Sequence, residues 1–133
     1  TEIYTLSLHD ALPIFRVVVV GDKAFAIKRM VRANDFRASG SGSILYEKEH
    51  FRDDVIRLAF DISEKLNTQC MAYDLVFSDG SPLVVEISYG FAMHGYDDCV
   101  GYWESDLTWH EGKFNPYGWM VDDLISSVRA KTK

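Results

Sequence analysis

The chain has 133 residues, 47% of them hydrophobic, which is enough for one globular domain with a real core. Its net charge of -6 and pI near 5.1 argue against a general surface for nucleic acids or anionic membranes. No apolar run approaches the roughly 18 residues of a membrane-spanning helix. The two cysteines, Cys70 and Cys99, lack metal-ligand spacing, so we expect small buried or partly buried thiols and a cytoplasmic location.

The first fourteen residues, TEIYTLSLHDALPI, match the in-frame translation of a common short-read sequencing adapter. We therefore interpret residues 1–14 as a segment foreign to the natural protein and leave them out of the fold argument. On this interpretation residues 15–133 are the C-terminal piece of a longer protein, truncated at its N-terminus.

Residues 15–32, FRVVVVGDKAFAIKRMVR, contain two β-rich runs joined by a Gly-Asp-Lys turn, which predicts an antiparallel hairpin. The second run ends in cations that include Lys28 and Arg29. A cationic side chain at such a position is more commonly a solvated surface charge than a residue that binds a ligand. A polar, glycine-rich loop follows, with Asn34 and Arg37. It could offer N–H groups and a guanidinium to an anion, although it matches neither a P-loop nor a dinucleotide fingerprint.

Apolar residues recur at steps of three and four between residues 47 and 67, which predicts one strong helix whose stripe faces the core. The order strand, strand, helix, strand, strand then indicates an antiparallel sheet covered by a helix, in the α+β class.

The second hairpin is predicted in residues 73–90, YDLVFSDGSPLVVEISYG, where Ser-Asp-Gly-Ser-Pro separates two strand-like runs. Asp74 and Glu86 interrupt these runs. They share a face if the connecting loop has an odd number of residues, for example three. The alternation predicts core faces on the other side of both strands, formed by Met71, Tyr73, Leu75 and Phe77 on the first and by Leu83, Val85 and Ile87 on the second.

Two ionised carboxylates about 4 Å apart repel by on the order of 4 kcal/mol at an effective dielectric of 20, so such a pair needs a cation, a shared proton or intervening water. Magnesium would meet this need, because it takes one or two protein carboxylates and completes its octahedron with water and substrate phosphates. The alternative is a solvated strand face on which two acids happen to lie.

The segment 89–119 is irregular and rich in aromatic residues, with nine of them among five glycines. It could shape an acceptor pocket or form a satellite aromatic core, and the sequence leaves both open. A final helix is predicted over residues 118–130, with a basic end that suits the helix dipole.

The run RVVVVGDKAFAIKRMVRANDFRASGSG, followed by a helix and by YDLVFSDGSPLVVEISYGF, resembles the C-terminal half of an ATP-grasp ligase over about residues 15–91. The resemblance implies that Asp74 and Glu86 are the metal carboxylates. Ser88 stands where the family has asparagine, so a second metal position depends on a shorter side chain. The resemblance further implies that the cofactor-binding residues are Arg16, Lys28, Arg29 and Asn34. Of these, Lys28 and Arg29 match a basic pair near the phosphates. Asn34 lies in the loop that approaches the phosphates or the acyl phosphate, and Arg37, in the same loop, is catalytic.

The implied cofactors are ATP and Mg²⁺, and the implied reaction phosphorylates a small carboxylate so that an amine, or less often a thiol, attacks the acyl phosphate. The family's phosphate-covering loop and adenine hinge would precede residue 15, so we expect the chain to be inactive alone. One alternative is a non-catalytic ATP-grasp-like module that binds a nucleotide or a partner. Another is a structural α+β domain whose acids are surface residues.

Overall fold

The computed structural model of the chain describes residues 12–30 and 43–133. The predictions for Asn34, Arg37 and most of the adapter-like segment lie outside these ranges, while Ile14, which we assigned to that segment, is the first residue of a strand. The described residues contain seven strands and two α-helices. Their bounds are β1 Ile14–Val20, β2 Lys23–Arg29, β3 Ile44–Leu45, α1 Asp53–Leu66, β4 Cys70–Ser78, β5 Ser81–Ser88, β6 Gly101–Glu104, β7 Trp109–Glu111 and α2 Pro116–Lys131.

The described strands form one antiparallel sheet in the order β5-β4-β1-β2-β6-β7, with β3 paired to β2. This confirms the predicted α+β class and both hairpins. β1 lies in the middle, and Val17–Val20 are all buried because both faces of the sheet are covered. The sequence of a strand that is covered on both faces is typically a continuous apolar run.

Helix α1 covers one face of the sheet. Val55, Ile56 and Ala59 are fully buried against β1 and β4, and the hydroxyls of Ser63 and Tyr73 form a buried hydrogen bond of 2.6 Å. The helix ends at Asn67, which adopts a left-handed conformation with φ 53°.

The predicted helix over 47–67 was wrong in its first turns. Lys48–His50 form a separate 3-10 turn, and Phe51 and Arg52 are extended before α1 begins. The reason is packing, since the buried ring of Phe51 contacts the rings of Phe15 and Trp103 edge-on.

The aromatic-rich segment and α2 cover the opposite face. Tyr96, Cys99, Phe114 and Trp119 pack with the apolar residues that β1 and β2 present there, and the rings of Phe114 and Trp119 are stacked. These rings therefore form a second aromatic core, one of the two outcomes that the sequence left open. Helix α2 starts two residues before the predicted boundary, where Asn115 accepts a hydrogen bond from the Gly118 N–H and Pro116 occupies the first turn.

Strand β5 lies at an edge of the described sheet, and here the sequence prediction failed. Leu83, Val85 and Ile87, which we expected in the core, are 46%, 48% and 49% exposed. In β5 it is Val84 that packs against the core under α1. No helix in the described ranges is long and apolar enough to cross a membrane.

Candidate functional site

The site begins with the turn between β4 and β5. Asp79 and Gly80 form a two-residue connection, and both have positive φ, at 50° and 80°. Such a pair is the signature of the type I′ turn, whose twist matches that of the strands it joins. The three-residue loop that we expected was therefore wrong. A regular ladder from this turn would place Asp74 opposite Val85.

A β-bulge corrects the register. Leu75 pairs with Val84, but the next pair is Asp74 with Glu86, so Val85 is the extra residue. The bulge adds one residue to β5, which has the same effect on the facing of the side chains as an odd-numbered loop would have had. Asp74 and Glu86 consequently lie opposite each other on the face of the sheet that is turned away from α1.

Arg16 supplies the cation that this pair needs. In β1 it is the register partner of Asp74, and its Nε and Nη2 donate hydrogen bonds of 2.6 Å to the two carboxylate oxygens. Asp74 is only 9% exposed. The hydrogen bond to Asp74 raises the pKa of Arg16 above its usual range, so the guanidinium stays charged at any working pH. The geometry is the bidentate fork that makes arginine–carboxylate pairs strong.

Two further side chains belong to this face. Arg29 follows Ile27 by two residues in β2, and Ile27 is the partner of Arg16, so Arg29 lies on the same face. Tyr96, from the aromatic-rich segment, is 6% exposed. Burial raises the pKa of its phenol, and the nearby Arg16 partly offsets this effect. Tyr96 thus borders the Arg16–Asp74 pair.

Glu86 and Ser88 complete the arrangement on β5. Glu86 is exposed, and Ser88 is paired with Ala72, which puts it on the face of Asp74. The Ser88 hydroxyl is engaged locally, because it donates a hydrogen bond of 2.9 Å to the Gly90 carbonyl and accepts one of 3.2 Å from the Gly90 N–H. Its first role is therefore to shape the end of the strand.

Lys28 lies apart from this group. It pairs with Phe15, which puts it on the α1 face, and its Nζ is 5.0 Å from the centre of the Phe15 ring. There it borders a cavity of about 470 Å³ whose wall also includes His50, Arg52 and Phe77. The structure thus brings together Arg16, Arg29, Asp74, Glu86 and Ser88, and it separates Lys28 from them.

Sequence reasoning missed the contact of Arg16 with Asp74 and the position of Tyr96. A signal for the first was available, since Arg16 is the one charged residue in the sequence of β1, and a charge inside an apolar strand requires a partner. Nothing comparable marks Tyr96 among the aromatic residues around it.

The chemical capacity of the site is that of hard oxygen donors beside fixed cations. Within the described ranges no group of three or more His, Cys, Asp or Glu side chains is placed to hold a metal ion. The cysteines are not activated either, because burial raises the pKa of Cys70 to about 11 and that of Cys99 to about 12. A thiolate nucleophile is therefore not part of this arrangement.

Comparison with known proteins adds no family: no protein-family model matches the chain, and no curated protein does.

Proposed function

We propose that this chain supplies one half of the nucleotide site of an ATP- and magnesium-dependent ligase that joins a small carboxylate to an amine through an acyl phosphate. The observation that carries the proposal is the pairing of the nearly buried Asp74 with the exposed Glu86 on the face turned away from α1, next to the cations Arg16 and Arg29. Acids and cations gathered in this way suit phosphoryl transfer, in which catalysis is mostly positioning and charge stabilisation. A cytoplasmic location, where ATP is supplied, belongs to the same proposal.

The donor set fits magnesium. Glu86 is exposed, and each oxygen of Asp74 keeps a lone-pair site besides the one that Arg16 uses. Two carboxylates are enough, because magnesium draws its remaining ligands from water and phosphate. Bound there, it would neutralise phosphate charge and fix the orientation of the phosphates. The Ser88 hydroxyl would have to leave Gly90 to take part, which favours a single metal position.

The cations have separable tasks in this proposal. Arg16 holds the Asp74 carboxylate in one orientation, and Arg29 faces the phosphates as a fixed positive charge. Lys28 has no part in it, since it lies on the α1 face. Asn34 and Arg37 enter the proposal through the family resemblance alone.

A second candidate is a module that binds a nucleotide or a partner without turnover. Two observations favour it: Arg16 satisfies both oxygens of Asp74 without any ligand, and the hydroxyl of Ser88 is occupied by Gly90. A site reduced in this way could retain nucleotide affinity while lacking a second metal position.

The test is a calorimetric titration of the chain with ATP, with and without Mg²⁺. We expect magnesium-dependent binding that Glu86→Gln weakens by about tenfold or more, because the variant removes a charge from the site. Glu86 is exposed, so this variant leaves the fold intact. The matched control is Glu111→Gln, which changes an acid that is also exposed and lies in β7 at the other edge of the described sheet. We expect this variant to bind as the parent does.

Turnover then separates the two candidates. ADP release by the longer protein that we propose as the parent, dependent on magnesium, one carboxylate and one amine, would support the ligase. Binding without release on any member of a substrate panel would select the non-catalytic module. If nucleotide binding does not depend on magnesium, or if both variants weaken it equally, the magnesium site at Asp74 and Glu86 is refuted and the ligase with it. Of the second candidate, only a module that binds a partner, or a nucleotide at another site, would then remain.

A further inference from the structure

Helix α2 carries a row of exposed apolar side chains on the side turned away from the sheet. The side of α2 that faces the sheet is in contact with the rest of the chain, since Trp119 and Met120 pack on the second core and the Asp123 carboxylate lies against Gly21. The outer row consists of Tyr117, Val121, Leu124, Ile125 and Val128, which are 60%, 54%, 56%, 43% and 53% exposed. We call this row the α2 stripe.

The spacing of the α2 stripe is that of a helix-pairing surface. Tyr117, Val121, Leu124 and Val128 follow one another at steps of four, three and four, which keeps them in line along about three turns. Single exposed apolar residues are normal on protein surfaces, but a contiguous row of them marks a contact surface. The helix thus presents a seam without a partner among the described residues.

The charges beside the stripe indicate what the partner is. Asp122 lies near the start of the helix, and Arg129 follows seven residues later, so the two lie on the same side of it. Neither forms an ion pair with a described residue of its own chain. A second α2 laid alongside in the reverse direction would bring each Asp122 next to the Arg129 of the other copy. Antiparallel pairing also aligns opposite ends of the two helix dipoles.

We propose that the α2 stripe is the interface of a symmetric homodimer, in which a second copy of this chain packs its own α2 antiparallel against it. The interface is isologous, because one self-complementary surface serves both copies. Leu124 and Ile125 lie near the two-fold axis, and the two Asp122–Arg129 contacts lie on either side of it. The inference rests on α2 alone and does not depend on nucleotide binding.

The first experiment is sedimentation equilibrium over a concentration series. We expect the mass to rise from 15.2 kDa to twice that value and to stop there. Leu124→Glu should raise the dimer dissociation constant by about tenfold or more, because it places two carboxylates at the centre of the seam. The matched control is Leu66→Glu on α1, a leucine that is 51% exposed, for which we expect less than about a twofold change.

Charge reversal tests the orientation and avoids any variant that could fail to fold, since both residues are exposed. Asp122→Arg alone should weaken the dimer, because Arg129 of the other copy would then face a like charge. Adding Arg129→Asp should restore it. A chain that stays monomeric at every concentration, an equal effect of Leu66→Glu and Leu124→Glu, or no recovery in the double variant would each overturn the proposal. If another part of the same chain covered the α2 stripe, the chain would stay monomeric at every concentration, which is the first of these outcomes.

Discussion

Arg16 shows how one side chain can serve the fold and the site together. It lies in the central strand between the buried residues Phe15 and Val17, and its side chain is only 25% exposed, so an unpaired guanidinium there would carry a desolvation cost. Asp74 removes that cost with two hydrogen bonds. Removing either member of the pair would therefore destabilise the fold by leaving the other unpaired, whatever the site binds. Glu86, which has no such structural duty, is the residue at which function can be tested separately.

Cys99 leads to a prediction on pH. Its thiol is buried beside the Ala26 carbonyl, and burial raises its pKa from 9.0 to about 12. The folded state then holds a proton that the unfolded state loses above pH 9, so stability is full below that pH and falls as the pH rises. We expect Cys99 to contribute a loss of about 1 kcal/mol in the free energy of unfolding between pH 9 and pH 10, in addition to the loss that Cys70 contributes.

Urea unfolding under reducing conditions at several pH values measures this loss. The control is Cys99→Ala, which is less stable at every pH because it leaves a cavity, but whose free energy should fall less steeply over the same interval. Cys70 titrates in both proteins and does not affect the comparison. Parallel pH profiles for the two would show that the Cys99 thiol does not titrate as we expect.

At the scale of elements, the β4–β5 turn depends on a single glycine. Gly80 has φ 80°, and no atom lies within 4 Å of the position that a Cβ would take, so the only cost of a side chain is the left-handed backbone. We expect Gly80→Ala to lower the free energy of unfolding by about 1 kcal/mol. Gly90→Ala is the matched control, since Gly90 has equally open surroundings and no positive φ. Chemical denaturation should leave Gly90→Ala within about 0.5 kcal/mol of the parent, and equal losses would contradict this explanation.

The same hairpin shows what the sequence could and could not predict. Alternation and turn residues located both strands, because these signals act over a few neighbouring residues. The bulge at Val85 gave no such signal, since it depends on how two strands match across the turn. The shared face of Asp74 and Glu86 was therefore predicted conditionally, with the wrong loop length. The exposure of Leu83, Val85 and Ile87 also escaped prediction, because it follows from the place of β5 at the edge of the sheet.

Helix α1 shows the corresponding limit for helices. Its period predicted a core-facing stripe through Val55, Ala59 and Leu66, of which the first two are buried but Leu66 is 51% exposed. Its start depends on Phe51, whose ring contacts Phe15 and Trp103 from distant parts of the chain. Contacts of this kind override local helix propensity.

Lys28 and Arg29 are adjacent in sequence, and the strand period alone separates them onto opposite faces.

In the molecule as a whole, the two helices that cover the sheet differ in how many of their residues are buried. Five residues of α1 are buried, whereas none of the residues of α2 is, within the described part of the chain. The second face is covered mainly by the aromatic rings that precede α2. Stability is therefore concentrated in β1, β4 and α1, and α2 is a peripheral element whose local opening exposes little apolar surface.

This asymmetry predicts a hierarchy of amide exchange. The amides of β1, which is bonded to strands on both sides, should exchange only through global unfolding, while those in the last two turns of α2 should exchange by local opening with a much lower free energy. Native-state hydrogen exchange measured on the Leu124→Glu variant tests this, because the substitution removes protection by a second copy. Protection of α2 equal to that of β1 in this variant would show that the helix is part of the cooperative core. Protection of α2 that is weak in the variant and strong in the parent would separate the contribution of self-association from that of the fold.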